Sequence, residues 1–396
     1  MQVTDSIRYV GVNDHQVDLF EGQYQVPNGM SYNSYVILDE KVAVMDTVDI
    51  HFGEEWMANV KAVLAGRTPD YLIVQHMEPD HSANISRFLE EYPQATVVAT
   101  AKAFVMMKQF FGNDYADRRI VASEMSELSL GAHTLHFVMA PMVHWPEVMV
   151  TYESSEKVLF SADGFGKFGA LDCDEPWDDE ARRYYVGIVG KYGVQVQALL
   201  KKAAALDIAV ICPLHGPVWR DNLAYFIQKY DLWSRYEPET EGVLIIYASM
   251  YGNTEAAAQA LAAKLCDKGM NRVAVYDVSS THKSQLISET FKYSHVVLAS
   301  VTYNLGIYPA IHDYLMDLKA LNVQNRTFAL IENGSWAVKS GDLMQEFLDG
   351  QLKRMTVLTE RLSMASALSA DKAGELEALA DAILESMQQK AQEAGK

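Results

Sequence analysis

Six consecutive residues, His76-Met77-Glu78-Pro79-Asp80-His81, follow directly on the apolar run Tyr71–Gln75. A short apolar run bounded by polar residues predicts a buried strand, so four ionisable side chains crowd one strand end. Carboxylates and imidazoles packed this closely repel one another, or stay unpaired, unless a cation joins them. The chain must therefore bring compensating groups to this point. Three later residues have the same setting. His144 follows Met139–Val143 and precedes Trp145-Pro146, Asp163 follows Val158–Ala162, and His215 follows Val210–Leu214. Each is a polar side chain just beyond an apolar run, where loops at one end of a sheet converge. His15, His51, His133 and His136 lack that setting and read as surface or structural residues.

The 396 residues exceed one ordinary domain. The polar, Pro- and Gly-containing segment Trp233–Gly242 reads as a linker. It divides the chain into residues 1–240 and 241–396. In the first half Ser34–Leu38 and Val42–Met45 read as a hairpin. Further short apolar runs follow, with helical stretches at Gly53–Leu64 and Asp178–Leu200 between them. Mixed strands and helices of this kind predict an α/β sandwich. In the second half five apolar runs alternate with helical segments, the pattern of a doubly wound parallel sheet. They begin with Gly242–Ala248 and end with Met355–Thr359. In the last helix Leu376, Leu379, Ala380, Ile383, Leu384 and Met387 share one face, which reads as core.

Ser249-Met250-Tyr251-Gly252-Asn253-Thr254 lies between the first strand and first helix of that second half. Hydroxyls at both ends, a glycine between them and a following helix N-terminus suit a terminal phosphate held by neutral donors. The loop is neither a dinucleotide Gly-x-Gly-x-x-Gly turn nor a Lys-bearing Walker loop. Val301-Thr302-Tyr303-Asn304-Leu305-Gly306 follows the third strand, and Asn333-Gly334-Ser335-Trp336 follows the fourth. Both sit where open α/β sheets bind ligands. Tyr303 and Trp336 are placed to flank a planar ring. The three loops together resemble flavodoxin, which implies FMN.

The cluster in the first half resembles the His-x-His-x-Asp-His hallmark of the metallo-β-lactamase-like superfamily, with Glu78 replacing the second histidine. The added carboxylate shifts the site from zinc toward harder, redox-active iron. A metallo-β-lactamase-like αββα sandwich joined to a flavodoxin-like domain resembles the flavodiiron (A-type flavoprotein) family over essentially the whole chain. The spacing agrees, with sixty-two residues between His81 and His144 and eighteen between His144 and Asp163. Glu147 stands where the family has an aspartate, and Gly164 where an alanine is more familiar.

The resemblance implies reduction of dioxygen to water, of nitric oxide to nitrous oxide, or both. It implies two iron ions, one held by His76, Glu78 and His144, the other by Asp80, His81 and His215, with Asp163 bridging. FMN would re-reduce them, in a head-to-tail homodimer that sets one subunit's FMN beside the other's irons. The alternative is a zinc hydrolase of the same superfamily fused to a flavodoxin domain.

Charge and cysteines limit the partners. Thirty-three Lys and Arg against 52 Asp and Glu give a net charge of −19, which disfavours nucleic acid and anionic membranes. No long apolar run predicts a membrane span, and the N-terminus lacks a signal-peptide pattern. A cytoplasmic setting is expected. Cys173, Cys212 and Cys266 form no close pair and read as buried small hydrophobes. No built-in rubredoxin is expected, so electrons would come from a separate rubredoxin-like protein or a reduced cofactor.

Overall fold

The structure, a computed structural model, describes residues 1–394. The chain divides into two compact units between Ser234 and Arg235, earlier than the boundary expected near residue 240. Residues just past the division are tied to the second unit. The buried Arg326 guanidinium donates to the Tyr236 carbonyl at 2.7 Å, and Asn325 Nδ2 donates to the Arg235 carbonyl at 3.3 Å.

In the first unit, β1 (Ile7–Tyr9), β2 (Tyr35–Ile37), β3 (Ala43–Met45), β4 (Tyr71–Ile73), β5 (Thr96–Thr100) and β6 (Arg119–Ala122) form one sheet in that order. Pairing is antiparallel from β1 to β3, including the expected hairpin, and parallel from β3 to β6. A second sheet runs β7 (Glu127–Ser129), β8 (Thr134–Met139), β9 (Met149–Glu153), β10 (Val158–Phe160) and β11 (Val210–Cys212). Ile37, Met45, Ile73 and Val98 of the first sheet meet Leu135, Phe137, Met149 and Phe160 of the second in one apolar core. On β8 the alternation is legible. Leu135 and Phe137 enter this core, and Val138 turns to the outer face, under the helix Gly193–Ala203. Helices outside two facing sheets make the metallo-β-lactamase-like sandwich expected.

One expected helix is broken. Asp178–Leu200 resolves into an α-helix Trp177–Tyr184, a π turn Tyr185–Val189, a 3₁₀ turn Gly190–Tyr192 and an α-helix Gly193–Ala203. Gly187, Gly190 and Gly193 weaken the helical interior. The Tyr24 hydroxyl donates to the Gly187 carbonyl at 3.0 Å, and a Cβ at 187 would meet that ring at 2.9 Å. The cysteines also differ from expectation: Cys212 lies in the core, but Cys173 is half-buried and Cys266 exposed.

In the second unit, β12 (Thr240–Ala248), β13 (Val273–Asp277), β14 (Tyr293–Tyr303), β15 (Thr327–Asn333) and β16 (Thr356–Met364) form a parallel sheet in the order β13-β12-β14-β15-β16. The helices Asn253–Asp267 and Ala373–Ala394 cover one face. Leu261, Leu265, Leu379 and Ile383 pack there on Val243, Ile245, Val297 and Ile331. The apolar stripe of the last helix is therefore core, and the doubly wound, flavodoxin-like arrangement is as expected. β16 runs to Met364, beyond the expected Thr359, because the polar Glu360-Arg361 inside it masks the strand pattern. Arg361 spends its charge on Asp342 at 2.7 Å. No helix among the described residues is long and apolar enough to cross a membrane.

Candidate functional site

The seven candidate ligands of the first unit sit on loops following strands. Beyond β4, His76 and Glu78 lead into the short helix Pro79–Ser82, which carries Asp80 and His81. His144 lies between β8 and β9, Asp163 follows β10, and His215 follows β11. The Asp163 turn is pinned by the Ser161 hydroxyl donating to the Gly164 carbonyl at 2.6 Å. A Cβ at 164 would lie 3.0 Å from the Ser161 carbonyl, so glycine lets this turn close tightly.

These loops bring the seven residues into two groups. In the first, Glu78 Oε2 lies 3.1 Å from His76 Nε2 and 3.0 Å from His144 Nε2, and Asp163 Oδ2 lies 3.0 Å from the same His144 nitrogen. In the second, Asp80 Oδ2 lies 3.3 Å from His81 Nε2 and 3.2 Å from His215 Nε2. Asp163 belongs to both, since its Oδ1 faces His81 Nε2 at 3.7 Å.

Such a cluster needs a cation. The two Nε2 atoms of His81 and His215 lie 2.9 Å apart. Both Asp80 oxygens and Asp163 Oδ1 are buried and make no hydrogen bond among the described residues. Unpartnered carboxylate oxygens beside two imidazole nitrogens at contact distance fit a metal ion. The protonation pattern carries the same message. Burial resists charge on Glu78 and Asp163, yet the neighbouring histidines hold both carboxyls well below the usual range. Burial likewise opposes charge on His144, but hydrogen bonds to Asp163 and Glu78 push it up to about 9. For His81, burial wins and lowers its pKa to about 4. Protons on His76 and His144 thus balance charge that divalent ions would balance when bound.

Residues outside the seven orient them. His76 Nδ1 lies 3.1 Å from Glu147 Oε1. His215 Nδ1 donates to the Ser31 carbonyl at 2.7 Å, and Gly216 N–H donates to Ser31 Oγ at 2.8 Å. Each contact leaves Nε2 facing the cluster. Ser31 carries no mark in the sequence, because it lies far from every motif and reaches His215 only through the fold.

In the second unit a cavity of about 330 Å³ opens at the C-terminal ends of β12, β14 and β15. Ser249, Met250, Tyr251, Asn253 and Thr254 line it from the first loop, Val301, Thr302, Asn304 and Leu305 from the second, and Asn333, Gly334, Ser335 and Trp336 from the third. Gly252, Tyr303 and Gly306 do not line it. Gly252 takes φ +88 and donates its N–H to Ser249 Oγ at 3.0 Å, turning the chain into the helix. Tyr303 packs edge-on against Tyr308. Ala337 and Ser366 complete the lining. Ser366 is absent from the sequence reading because its loop follows the unexpectedly long β16. Asn333 ties the loops together: Nδ2 donates to Thr254 Oγ1 at 3.2 Å and to the Ser366 carbonyl at 2.8 Å, while Oδ1 accepts from Ser366 N–H at 3.0 Å. A helix N-terminus, neutral hydroxyls and exposed aromatics at the rim fit a mononucleotide phosphate with a planar ring.

Comparison with known proteins agrees with both units. Residues 30–216 match the ODP family beta lactamase model, and residues 245–389 match Flavodoxin. A nitric oxide reductase of Moorella thermoacetica is 31% identical over 356 residues, 87% of this chain and 88% of that protein. The rubredoxin oxygen:oxidoreductase of Desulfovibrio gigas superposes with a TM-score of 0.91 at 28% identity, covering 99% of both chains. The flavodiiron protein of Giardia intestinalis superposes with a TM-score of 0.89 at 25% identity, covering 98% of this chain and 97% of that one.

Proposed function

The chain belongs to the flavodiiron family, and on that premise we propose that it reduces dioxygen to water, nitric oxide to nitrous oxide, or both. The observation that carries this reading is the shared carboxylate: Asp163 Oδ2 faces His144 and Oδ1 faces His81, which supports a dinuclear centre.

His76, Glu78 and His144 would hold one iron, Asp80, His81 and His215 the other, and Asp163 both. Three carboxylates against two ferrous ions leave the centre nearly neutral, open to a neutral gas. When bound, two ferrous ions and a two-electron-reduced FMN supply four electrons, the number that takes dioxygen to two waters; two nitric oxides to nitrous oxide need two. The protein's part is to hold the ligand nitrogens in one tautomer, through Glu147 at His76 and Ser31 at His215, and to keep the ligand carboxylates ionised. In the second unit, the N-terminus of the helix Asn253–Asp267 with Ser249 and Thr254 would take the FMN phosphate.

We further assign a head-to-tail homodimer, supported by the exposure of Trp336 (91%) and Tyr251 (89%) at the flavin cavity; a second copy would cover them. We assign the role of electron donor to a rubredoxin-like protein or a reduced cofactor, supported by the likeness to the rubredoxin oxygen:oxidoreductase of Desulfovibrio gigas. Three unpaired cysteines support a reducing, cytoplasmic setting.

The test is anaerobic stopped-flow of the reduced holoenzyme against oxygen and then nitric oxide, with iron and flavin quantified on the same sample. Two irons and one FMN per chain with rapid oxidation by either gas are expected. Two zinc ions with ester or phosphodiester hydrolysis would overturn the reading.

A further inference from the structure

Between the outer face of the second sheet and the helix Gly193–Ala203 lies a cavity of about 30 Å³. Val138, Val150 and Leu159 wall it on the sheet side, and Leu199, Leu200 and Ala203 on the helix side. The sheet side is fully buried, whereas the three helix residues are only partly so, which places the mouth at the helix. At the inner end stand Val143, Ser161 and Gly164. Val143 directly precedes the ligand His144, and Ser161 and Gly164 bracket the shared ligand Asp163.

Water gains little by entering. Ser161 and Tyr230 carry the only polar side chains in the wall. The Ser161 hydroxyl donates to the Gly164 carbonyl at 2.6 Å and the Tyr230 oxygen accepts from Phe165 N–H at 2.7 Å, which leaves at most the Tyr230 proton and the Ser161 lone pairs for a guest. A buried water needs about two to four polar partners. A cavity walled almost wholly by apolar side chains offers water the minimum at most, and takes up apolar guests such as xenon. The volume admits about two water-sized spheres at roughly 10–15 Å³ each. That is enough for a diatomic molecule and too little for an organic substrate or a peptide side chain of any length.

We propose that this cavity is a holding site for the diatomic gas that the enzyme reduces, loading from the helix side and releasing toward the Asp163 and His144 loops. Oxygen and nitric oxide are small, neutral and weakly hydrogen-bonding, so they partition from water into such a space as other apolar solutes do. The site raises the local gas concentration one loop away from the metal ligands. It rests on the gas-reduction reading above and adds a second, metal-free binding site to it.

Crystals of the holoenzyme pressurised with xenon test occupancy, and KM against kcat for the gas tests the role. Xenon is expected between Leu159 and Leu200. Ala203→Trp, which fills the mouth, should exclude xenon and raise KM severalfold with kcat little changed, at unaltered iron and FMN content. Leu200→Phe provides a milder filling should Ala203→Trp not fold. Val194→Trp on the exposed side of the same helix is the control and should leave xenon and KM as they are. Absence of xenon from the wild-type cavity overturns the proposal, as does a filled variant that excludes xenon yet keeps its KM. A wild-type holoenzyme that consumes neither gas overturns the function itself, and with it the substrate role of the cavity, even where xenon binds.

Discussion

Oε1 of Glu147 lies 3.1 Å from Nδ1 of His76 and accepts the backbone N–H of Met77 at 2.9 Å. One buried carboxylate therefore fixes both the ring and the peptide that follows it. Partners of this kind set ligand tautomer and basicity, and losing them costs about 10–100-fold in metal affinity. Glu147→Gln keeps an acceptor but not the charge, so a loss near the lower end is expected, and Glu147→Ala should approach the upper end. Competition with a chelator measures it. Unchanged iron retention in Glu147→Ala would show that His76 is held by other means.

Asp163 faces both candidate ligand groups, and its replacement should be felt by both. Asp163→Asn replaces one carboxylate oxygen with an amide nitrogen, which does not ligate, and leaves only a neutral carbonyl oxygen at the other position. Iron content should fall from two per chain to well below one, while the far-UV circular dichroism stays native. Replacement of a ligand of only one group, His215→Ala, should spare the other ion. Equal iron loss in the two variants would remove the distinction between shared and single ligands.

Asn333 makes three hydrogen bonds across the flavin loops. At about 1 kcal/mol each, their loss in Asn333→Ala weakens the closed arrangement of the cavity by roughly 2–3 kcal/mol. A dissociation constant for FMN higher by about 30–150-fold follows, read by quenching of flavin fluorescence. The helix content of the variant should be unchanged, because Asn333 lies at the end of β15 and not in its core.

His295 lies buried in β14, with Nδ1 2.9 Å from Ser294 Oγ and Nε2 3.1 Å from Ser386 Oγ. Burial, aided by the Lys390 charge, lowers its pKa from 6.5 to about 3. The folded state thus keeps the ring neutral where the unfolded chain protonates it. Its contribution is fully present above pH 6.5 and is lost as the pH falls from 6.5 toward 3. Over that window one group changes the unfolding free energy by about 1.4 kcal/mol per pH unit. Urea unfolding at a series of pH values should show a correspondingly shallower slope in His295→Leu. Parallel slopes in wild type and variant would rule the group out.

Much of the chemistry is legible in the linear text because it is local. Four candidate ligands fall within six residues at His76–His81, and so many close lone pairs favour a shared cation whatever the fold. Short apolar runs ending in Asp163 or His215 mark strand ends, and the loop at Ser249–Thr254 announces a helix N-terminus. Other features depend on contacts between distant segments, which no local pattern encodes. Ser31 orients His215 across more than 180 positions, and Glu147 reaches back to His76. The π turn at Tyr185–Val189 takes shape against Tyr24, and β16 extends through Arg361, whose guanidinium meets Asp342 of the helix Ser340–Gln351. The sequence by itself determined which atoms can bind metal and phosphate, since that is a property of side-chain chemistry and short-range spacing. Only the tertiary structure decided how they divide. Packing of two sheets turned one Asp163 oxygen toward His144 and the other toward His81, and left an apolar space behind them for helix and sheet to enclose.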